Sequence, residues 1–301
     1  MFRGVELTII GIKLIAGAGM VNSMDQLALG KILMKVGDLP SLPGVANRVI
    51  ELTDNPNSNP QQICDEICRD HVLASKVLKM VNSAYYGLPR KIATIPEATT
   101  ILGMQMLRTL VIGTSVFKVL SGIKGENAIN PEKIRQHALA CAVSSRMIAI
   151  ELGVPHKNHA FMAGLLHDIG KIILNSFFSR EYSEVLELSE TRGCPFIEAE
   201  QELLGTTHAE IGMMVATKWN LPTILVEPIG YHHVPLTACE NTDLVLVVYL
   251  ADITSRLAGY NASGNTELTI DNAVINKTGL NYEKLHRLAN EIKGTISLEF
   301  I

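Results

Sequence analysis

From Met24 onward the apolar residues fall at helical intervals in nearly every segment, and the breaks between segments are proline, glycine or asparagine. That rhythm confines the chain to helices packed on helices, an all-α multi-helix fold. In "SMDQLALGKILMKV", residues 23–36, Leu27, Leu29, Ile32, Leu33 and Val36 recur turn by turn until "LPSLPG" stops them. Asn59 before Pro60 and Asn130 before Pro131 repeat one start signal: an asparagine cap, then a proline with no amide to leave unpaired. "HVLASKVLKMVNSAYYG" carries Val72, Leu73, Val77, Leu78 and Val81, with Gly87 as its stop, and Gly103 separates a short helix from a long one over 94–120. Further helices are predicted from Pro131 to about Leu152 and over 160–178, 181–191, 196–202, 207–219, 222–232, 242–258 and 281–293. Pro228 and Gly230 are expected to kink the helix before His232. Only "TISLEF", 295–300, alternates like a strand.

Composition narrows the function classes. With 301 residues, 47% hydrophobic and 19% charged, the chain can bury a large core. A net charge of -4 and a pI near 6.1 lack the basic excess of a phosphate-backbone binder, so nucleic acid is not an expected partner. The helix pair around Gly103 reads as core rather than as a DNA reader. Cys64, Cys68, Cys141, Cys194 and Cys239 form an odd set without Cys-x-x-Cys spacing, which fits a reducing cytoplasm rather than a disulfide framework. Residues 7–21 are apolar except for Thr8 and Lys13 and too short to span a bilayer, so no membrane span is expected. Residues 1–23 are read as an extension packed on the body or as the product of an early start, Met20 and Met24 being alternatives, rather than as an export signal. The composition change at "SGIKGENAINPEK" divides the rest into 24–125 and 126–301.

The chemistry concentrates in the second part. "FMAGLLHDIGKIIL", 161–174, sets His167, Asp168 and Lys171 in an apolar segment, where ionisable groups are costly unless they pair or hold a ligand. His137, His208, His232, His233 and Asp252 stand in similar apolar text. Any one of them alone reads as a hydrogen-bonded core or surface residue. Five of the nine histidines with two aspartates make a set of neutral nitrogen and anionic oxygen donors, the kind that transition metals take. On one helix, His167 and Asp168 would point about 100° apart, so that both grip an ion at its edge and Asp168 bridges two. Lys171 falls on the same side and either pairs with Asp168 or meets an anionic substrate. Thr207 and Glu210 spell a capping box that sets His208 in a first helical turn, where the dipole is expected to keep it neutral and the free amides to favour phosphate.

The order of an isolated His, His-Asp, Lys, His, His-His and a late Asp resembles the HD superfamily of metal-dependent phosphohydrolases. From about Met24 the chain more closely resembles bacterial HDOD proteins, relatives of the HD-GYP phosphodiesterases. The resemblance rests on "LPSLPGVANRVIEL", "DHVLASKVLKMVNSAYYG" and "TIPEATTILGMQMLRTLVI" in the first part and on "GLLHDIGKIIL", "GTTHAEIGMMVATKWNLP" and "GYHHVP" in the second. It implies an N-terminal helical subdomain followed by an HD-like helical subdomain that binds one or two divalent ions of iron, manganese or zinc. It implies His137, His167, Asp168 and Asp252 at a first metal position and His208, His232 and His233 at a second, with Asp168 between. Two such ions would activate water for attack on phosphorus, with Lys171 neutralising charge on the phosphate.

"HHVPLTACENTD" lacks the acidic residue and the Gly-Tyr-Pro loop that follow the His-His of the cyclic-dinucleotide branch, so cyclic di-GMP hydrolysis is not expected. HDOD proteins are regarded as regulatory or scaffold modules. The reading is therefore a bacterial, cytoplasmic signalling module that binds metal and presents its first part to partner proteins, with Tyr85, Tyr86, Arg90 and Lys91 as a contact surface. The alternative is a metal-dependent phosphohydrolase or phosphodiesterase acting on a nucleotide or another phosphoester, with Lys171 and Asp168 as its catalytic residues.

Overall fold

The protein is seen in a computed structural model that describes residues 23–82, 90–122, 126–155, 157–238, 240–263 and 268–293. Residues 1–22, Tyr85, Tyr86, Gly87, Cys239 and "TISLEF" lie outside them. The first part contains α1 (Ser23–Asp38), α2 (Gly44–Asp54), α3 (Pro60–Arg69), α4 (His71–Val81), α5 (Ile95–Leu102) and α6 (Met104–Ser121). The second contains α7 (Pro131–Glu151), α8 (Lys157–Leu166), α9 (Ile169–Phe177), α10 (Ser179–Arg192), α11 (Phe196–Leu204), α12 (His208–Lys218), α13 (Thr223–Tyr231), α14 (Thr242–Leu257), α15 (Asn272–Thr278) and α16 (Tyr282–Ile292). No strand occurs among the described residues, and no helix there is long and apolar enough to cross a membrane.

The local start signals act as their chemistry requires. Asn59 accepts from the Gln62 amide at 3.0 Å while the Gln62 side chain accepts from the Asn59 amide at 3.0 Å, closing a capping box ahead of Pro60. Asn130 accepts from the Glu132 amide at 2.9 Å, and Gly103, at φ 79°, turns the chain between α5 and α6. Pro228 lies inside α13. α15 is absent from the sequence reading: seven residues with Val274 and Ile275 as their aliphatic pair carry too little periodicity to register, although Asp271 caps it and Gly279, at φ 68°, ends it.

The helix predicted over 160–178 is in fact two, and the break falls on His167 and Asp168. His167 Nδ1 donates to the Gly164 carbonyl at 2.7 Å, taking an oxygen that a continuous helix would offer to the Asp168 amide. Asp168, at φ -98° and ψ 18°, then opens α9. The two residues therefore do not share a helix edge; the break turns both inward.

α7, α8 and α14 pack on one another at the centre, α9 crosses α12, and α16 covers α7 and α14. A single buried cluster runs from Ile32 to Ile292 and includes residues of both parts. The α9–α12 crossing depends on glycine: a Cβ on Gly170 would stand 1.9 Å from the His208 carbonyl oxygen. α12 also reaches the first part, where Lys218 Nζ donates to the Val36 and Leu39 carbonyls (2.9 and 3.0 Å) and Trp219 Nε1 to Pro40 O (3.0 Å).

Candidate metal centre

Five structural sources supply the ionisable set: His137 from α7, His167 and Asp168 from the α8–α9 break, His208 from the first position of α12, His232 and His233 from the end of α13, and Asp252 from α14. All are buried except His233, which is half-buried. The structure brings all seven together. Asp168 stands in the middle: its Oδ2 lies 3.4 Å from both His137 Nε2 and His167 Nε2, and its Oδ1 lies 3.2 Å from His208 Nε2 and 3.7 Å from His232 Nε2. His137 Nε2 is 3.1 Å from Asp252 Oδ1, and His208 Nε2 is 3.0 Å from His233 Nε2. Potential ligand atoms of His137, His167 and Asp252 lie within 4.8 Å of one another, as do those of His208, His232 and His233.

Four of the rings are oriented by their outer nitrogens. Nδ1 of His137 faces Tyr260 O at 2.8 Å, that of His167 faces Gly164 O, that of His232 faces Ile229 O at 2.9 Å, and that of His208 faces Glu200 Oε2 at 2.6 Å. Each partner can only accept, so each Nδ1 carries a proton and, on a neutral ring, Nε2 turns a lone pair inward. Between neutral rings lone pair therefore meets lone pair: His208 Nε2 is 3.3 Å from His232 Nε2, a contact that a proton on His208 or a cation relieves. His137 Nε2, His167 Nε2 and Asp168 Oδ1 are buried without a hydrogen-bond partner. Orphaned, mutually repelling donors are what a cation among them would satisfy, and neutral imidazole with carboxylate suits zinc, iron or manganese. The residues fit such a group.

The electrostatics agree. Burial pushes His167 down to about 4 against the pull of Asp168. Burial, then neighbouring histidines, take His232 well below the ordinary range and His233 to about 3. Burial opposes ionisation of Asp168 and Asp252, yet both carboxyls are held well below the usual range, Asp168 by His167, Lys171 and His208, and Asp252 chiefly by His137. Deprotonated rings beside ionised carboxylates are the state in which metals bind. Lys171 Nζ donates to Asp168 Oδ2 at 2.8 Å, so the ion pair forms, and its side chain also lines the cleft above the cluster.

Glu200 on α11 was not legible as a site residue. It is fully buried; Oε2 accepts from the His208 amide at 3.0 Å as well as from Nδ1, and Oε1 accepts from Tyr182 Oη at 2.8 Å. It overturns one expectation for His208, that the ring stays neutral. The capping box forms, with Glu210 N to Thr207 Oγ1 at 3.2 Å and Thr207 N to Glu210 Oε2 at 3.0 Å. However, the His208 pKa is raised rather than lowered: burial, the largest single influence, works against the charge, and the Glu200 and Asp168 carboxylates together more than offset it. The His208 and Glu210 amides are also spoken for, which takes two of the first-turn donors from an anion.

Comparison with known proteins places the fold. The HDOD domain family model matches residues 39–235, more than half of the chain. An uncharacterised protein of Treponema pallidum (strain Nichols) is 27% identical over 228 residues, which are 74% of this chain and 43% of that protein. The chain thus spans less than half the length of that curated relative. A crystal structure of an HDOD domain protein of unknown function from Geobacter sulfurreducens is 25% identical, with a TM-score of 0.70 over 89% of this chain and 93% of that one. A Shewanella amazonensis protein provisionally named a phosphohydrolase is also 25% identical, with a TM-score of 0.63 over 87% and 94% of the two chains. On the extent of the family match, the chain belongs to the HDOD family.

Proposed function

We propose that this chain is a signalling or regulatory HDOD module that holds one or two divalent transition-metal ions, of iron, manganese or zinc, in its second part. His137, His167, Asp168 and Asp252 would hold the first, and His208, His232 and His233 the second, with Asp168 reaching both. The observation that carries the reading is the convergence of Nε2 lone pairs on the two oxygens of one buried aspartate. A regulatory role is supported by the segment after His233, which forms a short 3-10 turn, Pro235–Thr237, and has no Gly-Tyr-Pro sequence. Partner proteins would meet the first part, where Arg90 and Lys91 are exposed and Arg90 pairs with Glu97. The test is elemental analysis of protein purified without chelator: up to two equivalents of metal in the wild type and loss of it in Asp168→Ala. A metal-free wild type refutes the assignment.

Lys171 favours a second reading, a phosphohydrolase acting on a phosphoester. Bound ions would supply Lewis acidity toward a phosphoryl oxygen. The chain's own part would be to hold Asp168 ionised through Lys171, keep the rings in the Nδ1–H tautomer and screen the cluster from bulk water. The provisional name of the Shewanella amazonensis relative supports it. Turnover of a phosphoester panel by metal-loaded protein, abolished in Asp168→Ala, would establish it; no turnover with iron, manganese or zinc would end it.

A further inference from the structure

Above the His/Asp cluster lies a cavity of about 80 Å3, lined in part by Lys171, His233, Asp252 and Arg256. That is room for two or three waters, so a small tetrahedral oxyanion fits there and an organic ligand does not. Asn261 and Ala262 line this chamber and also a second, open groove of about 520 Å3, which continues it between the start of α7 and the end of α10. The groove alone falls within the range of small-molecule sites. The chamber has two cationic side chains from different helices: Lys171 projects from α9, and Arg256 from the last turn of α14, 4.0 Å from Asp252. The groove presents Asn130, Lys133, Ser189 and Glu190, a mixture of donors and acceptors, and no aromatic ring among its described lining residues. Such a wall hydrogen-bonds hydroxyl groups but offers a nucleobase nothing to stack on.

We infer that the cleft is a two-part site for a phosphorylated sugar or polyol, with the phosphate in the inner chamber between Lys171 and Arg256 and the hydroxylated body in the outer groove against Lys133 and Glu190. The inference rests on the phosphoester reading of the metal centre and adds to it a ligand class and a residue, Arg256, that touches the ligand rather than the metal.

Calorimetric titration of metal-loaded protein with inorganic phosphate, ribose 5-phosphate and AMP tests it, with metal per chain measured on the same samples. Ribose 5-phosphate is expected to bind more tightly than phosphate. Arg256→Met, which keeps the length and helix propensity of the side chain, should weaken both about tenfold or more with metal content and circular dichroism unchanged. Lys133→Ala, at an exposed position, should weaken ribose 5-phosphate alone. Phosphate affinity unchanged in Arg256→Met overturns the inner subsite; ribose 5-phosphate no tighter than phosphate overturns the outer one; AMP tighter than ribose 5-phosphate overturns the sugar assignment. A wild type that holds no metal refutes the metal centre instead, and phosphate binding that still depends on Arg256 would leave the subsite standing.

Discussion

Replacing Glu200 by glutamine separates the contribution of charge from that of shape at His208. The carboxylate accepts three hydrogen bonds, from the His208 amide, His208 Nδ1 and Tyr182 Oη, at 3.0, 2.6 and 2.8 Å. A glutamine turned with its oxygen toward His208 keeps the first two, and its NH2 can donate to Tyr182, whose hydroxyl also accepts. What disappears is the negative charge. Hydrogen bonds to charged groups contribute roughly 1.5–3 kcal/mol against about 0.5–1.5 for neutral ones, so the bond to His208 Nδ1 alone loses about 1–1.5 kcal/mol. His208 then becomes a weaker electron donor, and about tenfold in metal affinity is expected to go, the lower end of what outer-shell partners of metal histidines contribute.

The loss should fall on one ion only. Glu200 contacts His208, proposed for the second position, and His137, His167 and Asp252 are fastened elsewhere, His137 by Tyr260 O and His167 by Gly164 O. Competition against a chelator of known affinity should therefore show one equivalent weakened and the other unchanged. Glu200→Ala provides the contrast: it strands buried donors at about 1–3 kcal/mol each and should lower the melting temperature of the metal-free protein by several degrees. Equal weakening of both equivalents in Glu200→Gln with an unchanged melting temperature would refute the division into two positions. No weakening of either would refute the role of Glu200.

The metal-free protein should be labile to acid. His167 lies near 4 when folded against an ordinary 6.5, so the unfolded chain takes up its proton first; stability is intact above pH 6.5 and falls toward pH 4, by ~3 kcal/mol once both states are protonated. Asp168 and Asp252, held low, add a loss below about pH 4, whereas His208, raised, contributes stability that fades as pH rises above 6.5. Urea midpoints at pH 7 and pH 5 measure the net slope, and a higher midpoint at pH 5 would mean that His167 is charged in the fold. Gly170→Ala would force α9 from α12, because the new Cβ meets a backbone oxygen; it should cost about 1–3 kcal/mol and weaken metal binding, and an unchanged chelator titration would show that the crossing does not position His208.

What was legible in the sequence followed the range of the interaction. Caps at Asn59, Asn130 and Thr207 are settled within three residues, and the sequence shows them directly. The seven ionisable residues were legible for another reason: imidazole and carboxylate in apolar text must find partners, so their presence announced a cluster before any distance was known. The break at His167 depends on one ring bonding to Gly164 and on α9 fitting against α12, and periodicity over 160–178 does not register either. Glu200 shows where the limit lies. In "PFIEAEQELLG" three glutamates alternate with other residues at 198, 200 and 202, and charge alone marks all three as solvent-facing. Yet Phe196, Ala199 and Leu203 define the apolar stripe of that helix, and Glu200, four residues after Phe196, falls on it. A carboxylate on a buried stripe needs a donor as surely as His167 does, and the donor stands eight residues on, at His208, across the turn through Gly205. The same rule that found the cluster, applied to the helix stripe rather than to the local run of residues, therefore extends from the ligands to the group that orients one of them.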